Sequence, residues 1–432
     1  MSLIRLMGLC FVRKRQLRHP AAFFGPHAMQ TALKTKLSVF MFLQYFIWST
    51  WYMTLGAYLG TLNFSGKEIG LAYGAFAWGA ILSPFIVGLI ADRYFASEKI
   101  IAVLGVAGGL VMLCMPQFKT FSTVYPALIL YCTLYAPTLA LGNSVSMTHL
   151  ADAKKDFPFV KIFSAVGWIA GGVVLSQLKA EQSSMQYYLA GSTSIVFGLF
   201  ALTLPATPPQ KKGQDVSLGE VLGLDALALL KKPAFAIFIL CMFLICIPLY
   251  FYFVNLGTYL TQLKWEDMAQ KMTLAQISDV IFLILLPLML KKLGYKKTIF
   301  LGITAWVTRY FMLSASASST GTLLIFGAIV LHGVCYDFLF IAGQLYVDAE
   351  ANERIRGAAQ GLIAIILWGF GSLVGTYLAG RVMDAHKLAT PRGDITHDWA
   401  AIWSTPAWIA VGVLVLFLIF FRDPPAKSAS SS

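Results

Sequence analysis

The fold class predicted by this sequence is an all-α membrane protein: twelve transmembrane helices in two six-helix bundles. Three observations carry it. Of 432 residues, 58% are hydrophobic and only 12% charged, with a mean hydropathy of +0.72. A soluble chain of this size could not solvate so much apolar surface. Apolar runs of spanning length then recur along the chain, and one long polar interval divides them six and six.

In order, the runs lie at 37–60, 69–91, 100–116, 122–148, 158–178, 185–204, 234–260, 272–290, 297–315, 322–347, 357–382 and 402–421. Each is near or above the ~20 residues that a helix needs to cross a bilayer core. Pro84, Pro137, Pro248 and Pro287 fall inside them, as packed membrane helices tolerate. Residues 1–35 form a basic N-terminal segment expected to be disordered, and 1–28 lack the apolar core and cleavage site of a secretory signal. Residues 36–205 make the N-terminal six-helix bundle, 206–233 a linker, 234–421 the C-terminal bundle and 422–432 a tail. The linker opens Pro- and Lys-rich; from Ser217 to Leu230 apolar residues recur at mixed helical spacing, with acidic residues early and Lys231–Lys232 late. That pattern fits a short interfacial helix on the cytoplasmic surface.

The net charge of +13 does not point to nucleic acid. The basic residues fall between apolar runs, mostly on the side of the two termini, whereas the opposite side carries a minority such as Lys67, Lys179 and Lys264. This bias places both termini in the cytoplasm. Six cysteines show no C-x-x-C spacing, and five lie within apolar runs, so neither a disulfide nor a metal site is expected. No nucleophile triad, phosphate loop or metal spacing is present. The glycine-rich "GFGSLVGTYLAG" (369–380) lies within a span, where small residues let helices approach. An enzyme is therefore disfavoured, and no cofactor is expected. A weak repeat, "PFIVGLIADRYFASEKIIAVLG" (84–105) against "PLMLKKLGYKKTIFLG" (287–302), supports parallel halves with a substrate site between them.

Four ionisable residues fall well inside spans: Lys161, Asp279, Arg309 and Asp337. Such charges face a bundle interior or an aqueous cavity and mark transport pathways. Asp337 is too short to reach the interface. Lys161 has two readings, snorkelling or a cavity role, and Arg309 reads as half of a structural salt bridge. His149 and His332 read as structural or interfacial. A carboxyl in a low-dielectric cavity favours its neutral form, which suits Asp279 and Asp337 to carrying a proton. Asp337, Phe340 and Gln344 share one helical face, as do Gln44, Trp48 and Trp51. Their rings could stack on a flat base and their amides bond its edge or sugar hydroxyls; the alternative for each aromatic is packing between helices.

The loop "GLIADRYFASEK" resembles the cytoplasmic signature of the major facilitator superfamily, in which Gly88, Asp92 and Arg93 would lock one conformational state. Further segments, "FLQYFIWSTWYMTLGAYL" (42–59), "LTLPATP" (202–208), "AQISDVIFLILLP" (275–287), "CYDFLFIAGQLYVD" (335–348) and "IRGAAQG" (355–361), resemble the bacterial nucleoside permeases of the nucleoside:proton symporter family. The resemblance runs from about residue 36 to 421. It implies alternating access and proton-coupled nucleoside uptake across the cell inner membrane by a monomer in contact with lipid. It also implies site residues. Gln276 and Asp279 match a Gln and an acidic residue, and Tyr336–Asp337 match an aromatic–Asp pair. "DFPFVK" places Lys161 where the family has an arginine, followed by Ala165 and Trp168 in place of Thr and Phe. Tyr250 and Phe253 stand where a polar Gln and Asn would hold base or sugar. These departures leave open another polar solute, such as a sugar or modified nucleoside, or a receptor that binds without transporting.

Overall fold

The computed structural model describes residues 26–86, 94–209, 224–319, 321–353, 355–389 and 395–422. Twelve spans occur among these residues. Span 1 is Pro26–Tyr52, continued by Leu55–Thr61 after a break at Met53–Thr54. Spans 2 to 6 are Gly66–Ile86, Ser97–Cys114, Phe121–His149, Ala153–Gln177 and Met185–Ala201. Span 7 is Pro233–Gln262, followed by the short helix Met268–Met272. Spans 8 and 9 lie within Leu274–Ser319, whose 46 residues exceed one crossing and break at Gly294, where φ is 74°. Span 10 covers Thr322–Glu350 and span 11 Arg356–Ala385; span 12 is Trp399–Phe420. Between the last two, β1 (Lys387–Ala389) pairs antiparallel with β2 (Ile395–His397).

Two expectations change. The first helix starts at Pro26, so residues 26–35 are helical rather than disordered. Good helix formers supply the backbone preference, and Lys34 pairs with Asp156 of span 5 at 2.8 Å while Lys36 donates to the Thr203 carbonyl. In the linker, Leu224–Lys231 is a 3-10 helix that buries Ala226 and Leu229; the rest of the expected interfacial helix lies outside the described residues. Gly88, Asp92 and Arg93 also lie outside them.

Spans 10 and 11 each contain a π-helical turn, Asp337–Ile341 and Ile365–Phe370. Such turns add a residue to the helical circuit and re-aim the side chains that follow.

The two halves close on one another at the end away from the termini. There Asp384 of span 11 accepts from the backbone N–H groups of Gly66 and Lys67, both at 2.7 Å, at the start of span 2. Reciprocally, Glu181 of the N-terminal half accepts from Ala269 N–H at 2.7 Å, and Ser176 accepts from Gln270 N–H at 2.9 Å. Each half thus caps the exposed N–H groups of a helix in the other, where a carboxylate also meets the positive end of the helix dipole. Spans 2 and 11 approach so closely that a Cβ on Gly70 would lie 2.3 Å from the Thr376 carbonyl oxygen, and one on Gly380 2.2 Å from that of Gly66. Towards the termini, the ion pairs Lys34–Asp156, Lys232–Glu350 and Arg356–Asp348 each stay within one half. Gly357 and Gly361 of span 11 face open space there.

Candidate functional site

A cavity of about 320 Å³ lies between the halves, inside the ~300–1,000 Å³ range of small-molecule sites. The N-terminal half contributes Tyr45, Trp48 and Tyr52 from span 1 and Lys161, Ser164, Ala165 and Trp168 from span 5. Opposite them stand Phe253, Gln276, Asp279, His332, Tyr336, Ile341 and Trp368. A second hollow shares Tyr45, Trp48, Tyr336 and Trp368 and continues past Ser83, Asn143 and Gly361, towards the end that carries the termini.

Aromatic rings form most of the wall. Trp48 stacks on Phe76 (centroids 4.7 Å, 14° between planes) and meets Trp168 edge-on at 5.4 Å. Trp368, placed within the π turn of span 11, stands 6.5 Å from Trp48 across the halves. Such rings offer faces to a planar ligand at little conformational cost.

Polar groups are few. Lys161 Nζ donates to the Tyr45 hydroxyl at 2.9 Å and to Asn143 Oδ1 at 3.2 Å. It lies nearer that hydroxyl than the ring centre, 4.6 Å away, so the hydrogen bond rather than the π face holds it. Lys161 thus lines the cavity between the halves, with its amine held by Tyr45 and Asn143. On span 8, Gln276 and Asp279 share a face; Gln276 Oε1 and Asp279 Oδ1 are buried without a protein partner. Asp279 Oδ2 stands 3.9 Å from His332 Nε2, too long for a hydrogen bond but close for charge. A Cβ on Gly333 would lie 2.5 Å from the Ser278 backbone, so the glycine next to His332 permits this close approach of spans 8 and 10.

Arg309 is fully buried and forms no ion pair among the described residues, contrary to the salt bridge expected of it. Its Nη1 donates to His332 Nδ1 at 2.8 Å and its guanidinium lies 3.6 Å over the Tyr252 ring. His332 itself faces the cavity, which sequence reasoning missed.

Of the residues singled out by sequence, Trp48, Lys161, Trp168, Phe253, Gln276, Asp279 and Tyr336 meet at this cavity. Trp51, Gln344 and the four that follow do not line it. Gln44 is buried against span 4, donating to the Thr138 carbonyl at 2.7 Å. Tyr250 is buried and donates to the Leu367 carbonyl. Phe340 packs on Tyr336 and edge-on to Trp306 of span 9. Asp337 lies one layer behind the wall, 2% exposed, with Oδ2 unpartnered and within electrostatic reach of Asp279. The π turn that begins at Asp337 breaks the simple i, i+3, i+7 face on which these residues were grouped. Among the described residues no group of His, Cys, Asp or Glu could hold a metal.

The comparisons with known proteins fit this geometry. The family model described as Nucleoside H+ symporter matches residues 29–426. The chain is 38% identical over 398 residues to YegT of Escherichia coli (strain K12), covering 90% of this chain and 93% of that one. It is 31% identical over 407 residues to the xanthosine permease of the same organism, covering 90% and 96%. The crystal structure of the nucleoside transporter NupG superposes with a TM-score of 0.81 at 28% identity, covering 91% of this chain and all of that one. With the family model spanning nearly its whole length, the chain belongs to the nucleoside:H+ symporter family.

Proposed function

We propose that this multi-pass transporter binds a nucleoside in the cavity between its halves, with the base among Trp48, Trp168 and Trp368 and the ribose towards Gln276 and Asp279. Asp279 and Asp337 form one unit that carries the coupled proton. The observation that carries this reading is Asp279: a carboxylate on the cavity wall, with an unpartnered oxygen, within electrostatic reach of a second buried carboxyl, Asp337. Interacting carboxyls titrate as a pair, so the proton belongs to both. A group that takes a proton where it also meets substrate couples the two fluxes, because each ligand biases the same conformational equilibrium.

The asymmetry between the two ends supports alternating access, with this structure open towards the termini. We place the termini in the cytoplasm on the distribution of Lys and Arg, and take the working unit as a monomer because both halves of the cavity come from one chain. Reconstituted protein given labelled uridine, adenosine or xanthosine tests the reading. Accumulation driven by an inward proton gradient and abolished by a protonophore is expected. Uptake that merely equilibrates would make it a facilitator, uptake of a sugar in preference would replace the substrate, and binding without counterflow would make it a receptor.

A further inference from the structure

The buried charge of Arg309 has no use in the site as so far described. We propose that Arg309 fixes His332 as a permanent Nε2–H donor towards Asp279, so that His332 orients the proton-carrying carboxyl without carrying the proton itself. This rests on the reading of Asp279 given above.

A guanidinium has only donors. With Arg309 Nη1 at 2.8 Å, His332 Nδ1 must present its lone pair, and the ring proton is left on Nε2, the atom that stands 3.9 Å from Asp279 Oδ2. Partners on three elements hold the ring in this pose. Tyr252 of span 7 and Tyr336 of span 10 lie nearly parallel to it, at 5.5 Å and 5.8 Å, and Phe253 meets it edge-on. The guanidinium rests on the other ring of that column, Tyr252. A half-turn flip of the imidazole would break the hydrogen bond, and any smaller rotation would break the stacks as well.

A second proton on His332 would set an N–H against the Arg309 N–H at 2.8 Å and put two cations side by side in a buried site. The titratable and charged groups facing the imidazole are Arg309 from span 9, Asp279 from span 8, Tyr252 from span 7 and Tyr336 from span 10, with Cys335 within reach of Arg309 and Asp337 within reach of Asp279. Arg309 Nε and Nη2 are buried without a protein partner, so its charge is not neutralised by a contact ion pair. Its charge acts on Asp279 across the buried site. Arg309 and His332 are thus positioning residues for Asp279: a fixed cation and a fixed dipole that favour the carboxylate once its proton has left.

Nitrogen-15 NMR of histidine-labelled protein in bilayers tests this, with the His332 signals assigned by their loss in His332→Gln. A neutral ring protonated at Nε2 and unchanged from pH 5.5 to 8 is expected; an imidazolium or an Nδ1-protonated ring in that window overturns the proposal. In Arg309→Met the same ring should titrate or change tautomer, and an unchanged signal there also overturns it. Transport gives a second readout. His332→Gln, whose carbonyl accepts from Arg309 and whose amide donates towards Asp279, should lower the rate but keep the pH midpoint of driven uptake. His332→Phe keeps the stack alone and should move that midpoint by about one unit or more. If His332→Gln exchanges substrate but no longer accumulates it, His332 carries the proton and the proposal fails. If the unmodified protein shows no proton-driven uptake, the symport reading fails, and the tautomer measurement still decides this proposal.

Discussion

Trp368 and Asp337 show how differently single residues were legible. Asp337 stands out because a mid-span carboxylate is costly wherever it sits. Trp368 does not, because in a span that is apolar all round an aromatic facing a cavity and one facing a neighbouring helix look alike. Tyr45 and Tyr52 were hidden for the same reason. Lys161, Gln276 and Asp279 were found because polar residues in a span are scarce and their spacing matches the family. Removing one aromatic wall, as in Trp168→Ala or Trp368→Ala, is expected to cost about 0.5–1.5 kcal/mol of stacking, or about 2–12-fold in Kd. Saturation binding of labelled uridine to membranes checks this; an unchanged affinity in both variants would remove the base from this wall. Lys161→Met should weaken binding as well, and Lys161→Arg, which keeps the charge and adds donors, should retain more of it than the methionine variant.

At the scale of elements, the helical runs were legible from hydropathy, but their local departures were not. Nothing in "CYDFLFIAG" announces a π turn, because its apolar run fits a regular α-helix equally well. This turn includes Phe340, which packs on Trp306 instead of lining the cavity. The short β hairpin between spans 11 and 12 was equally silent in a loop of mixed polarity. Gly333→Val is expected to force span 10 off span 8, abolish uptake and leave the protein in the membrane; retained uptake would show that the 3.9 Å approach of His332 to Asp279 is dispensable. The hairpin has its own pH signature. Burial pulls His397 down to about 4, with Lys387 acting in the same direction, while Nδ1 lies 2.9 Å from Gln262 Nε2. A histidine kept neutral by the fold stabilises it above the unfolded value near ~6.5, and that contribution is lost as pH falls towards the folded value. The melting temperature should therefore drop more between pH 7 and pH 4 for the unmodified protein than for His397→Gln. Parallel curves would contradict this.

For the whole molecule, the six-plus-six architecture followed from the apolar runs and the linker alone, since no soluble arrangement buries so much apolar surface. Which end is closed could not be read in this way, because the capping carboxylates Asp384 and Glu181 look like ordinary loop acids in sequence. Only the fold carries each of them to a helix start in the opposite half. Their exchange energy is modest, of the order of 1 kcal/mol for each cap, which suits a contact that must break once per cycle. Asp384→Ala is expected to loosen this end. Spin labels at positions 119 and 264, one on each half there, should show a larger share of long distances than in the unmodified protein. An unchanged distribution would mean that the glycine-lined packing of spans 2 and 11 holds the closure alone. In the cycle we propose, closure at one end and then the other around the cavity between the halves, the coupled proton resides at Asp279 and its neighbour Asp337. The most direct measurement compares Asp279→Asn with the unmodified transporter in liposomes, by uridine accumulation under an inward proton gradient and by uridine counterflow without one. The expected result is loss of accumulation with counterflow retained; accumulation that persists and still collapses with a protonophore would contradict it.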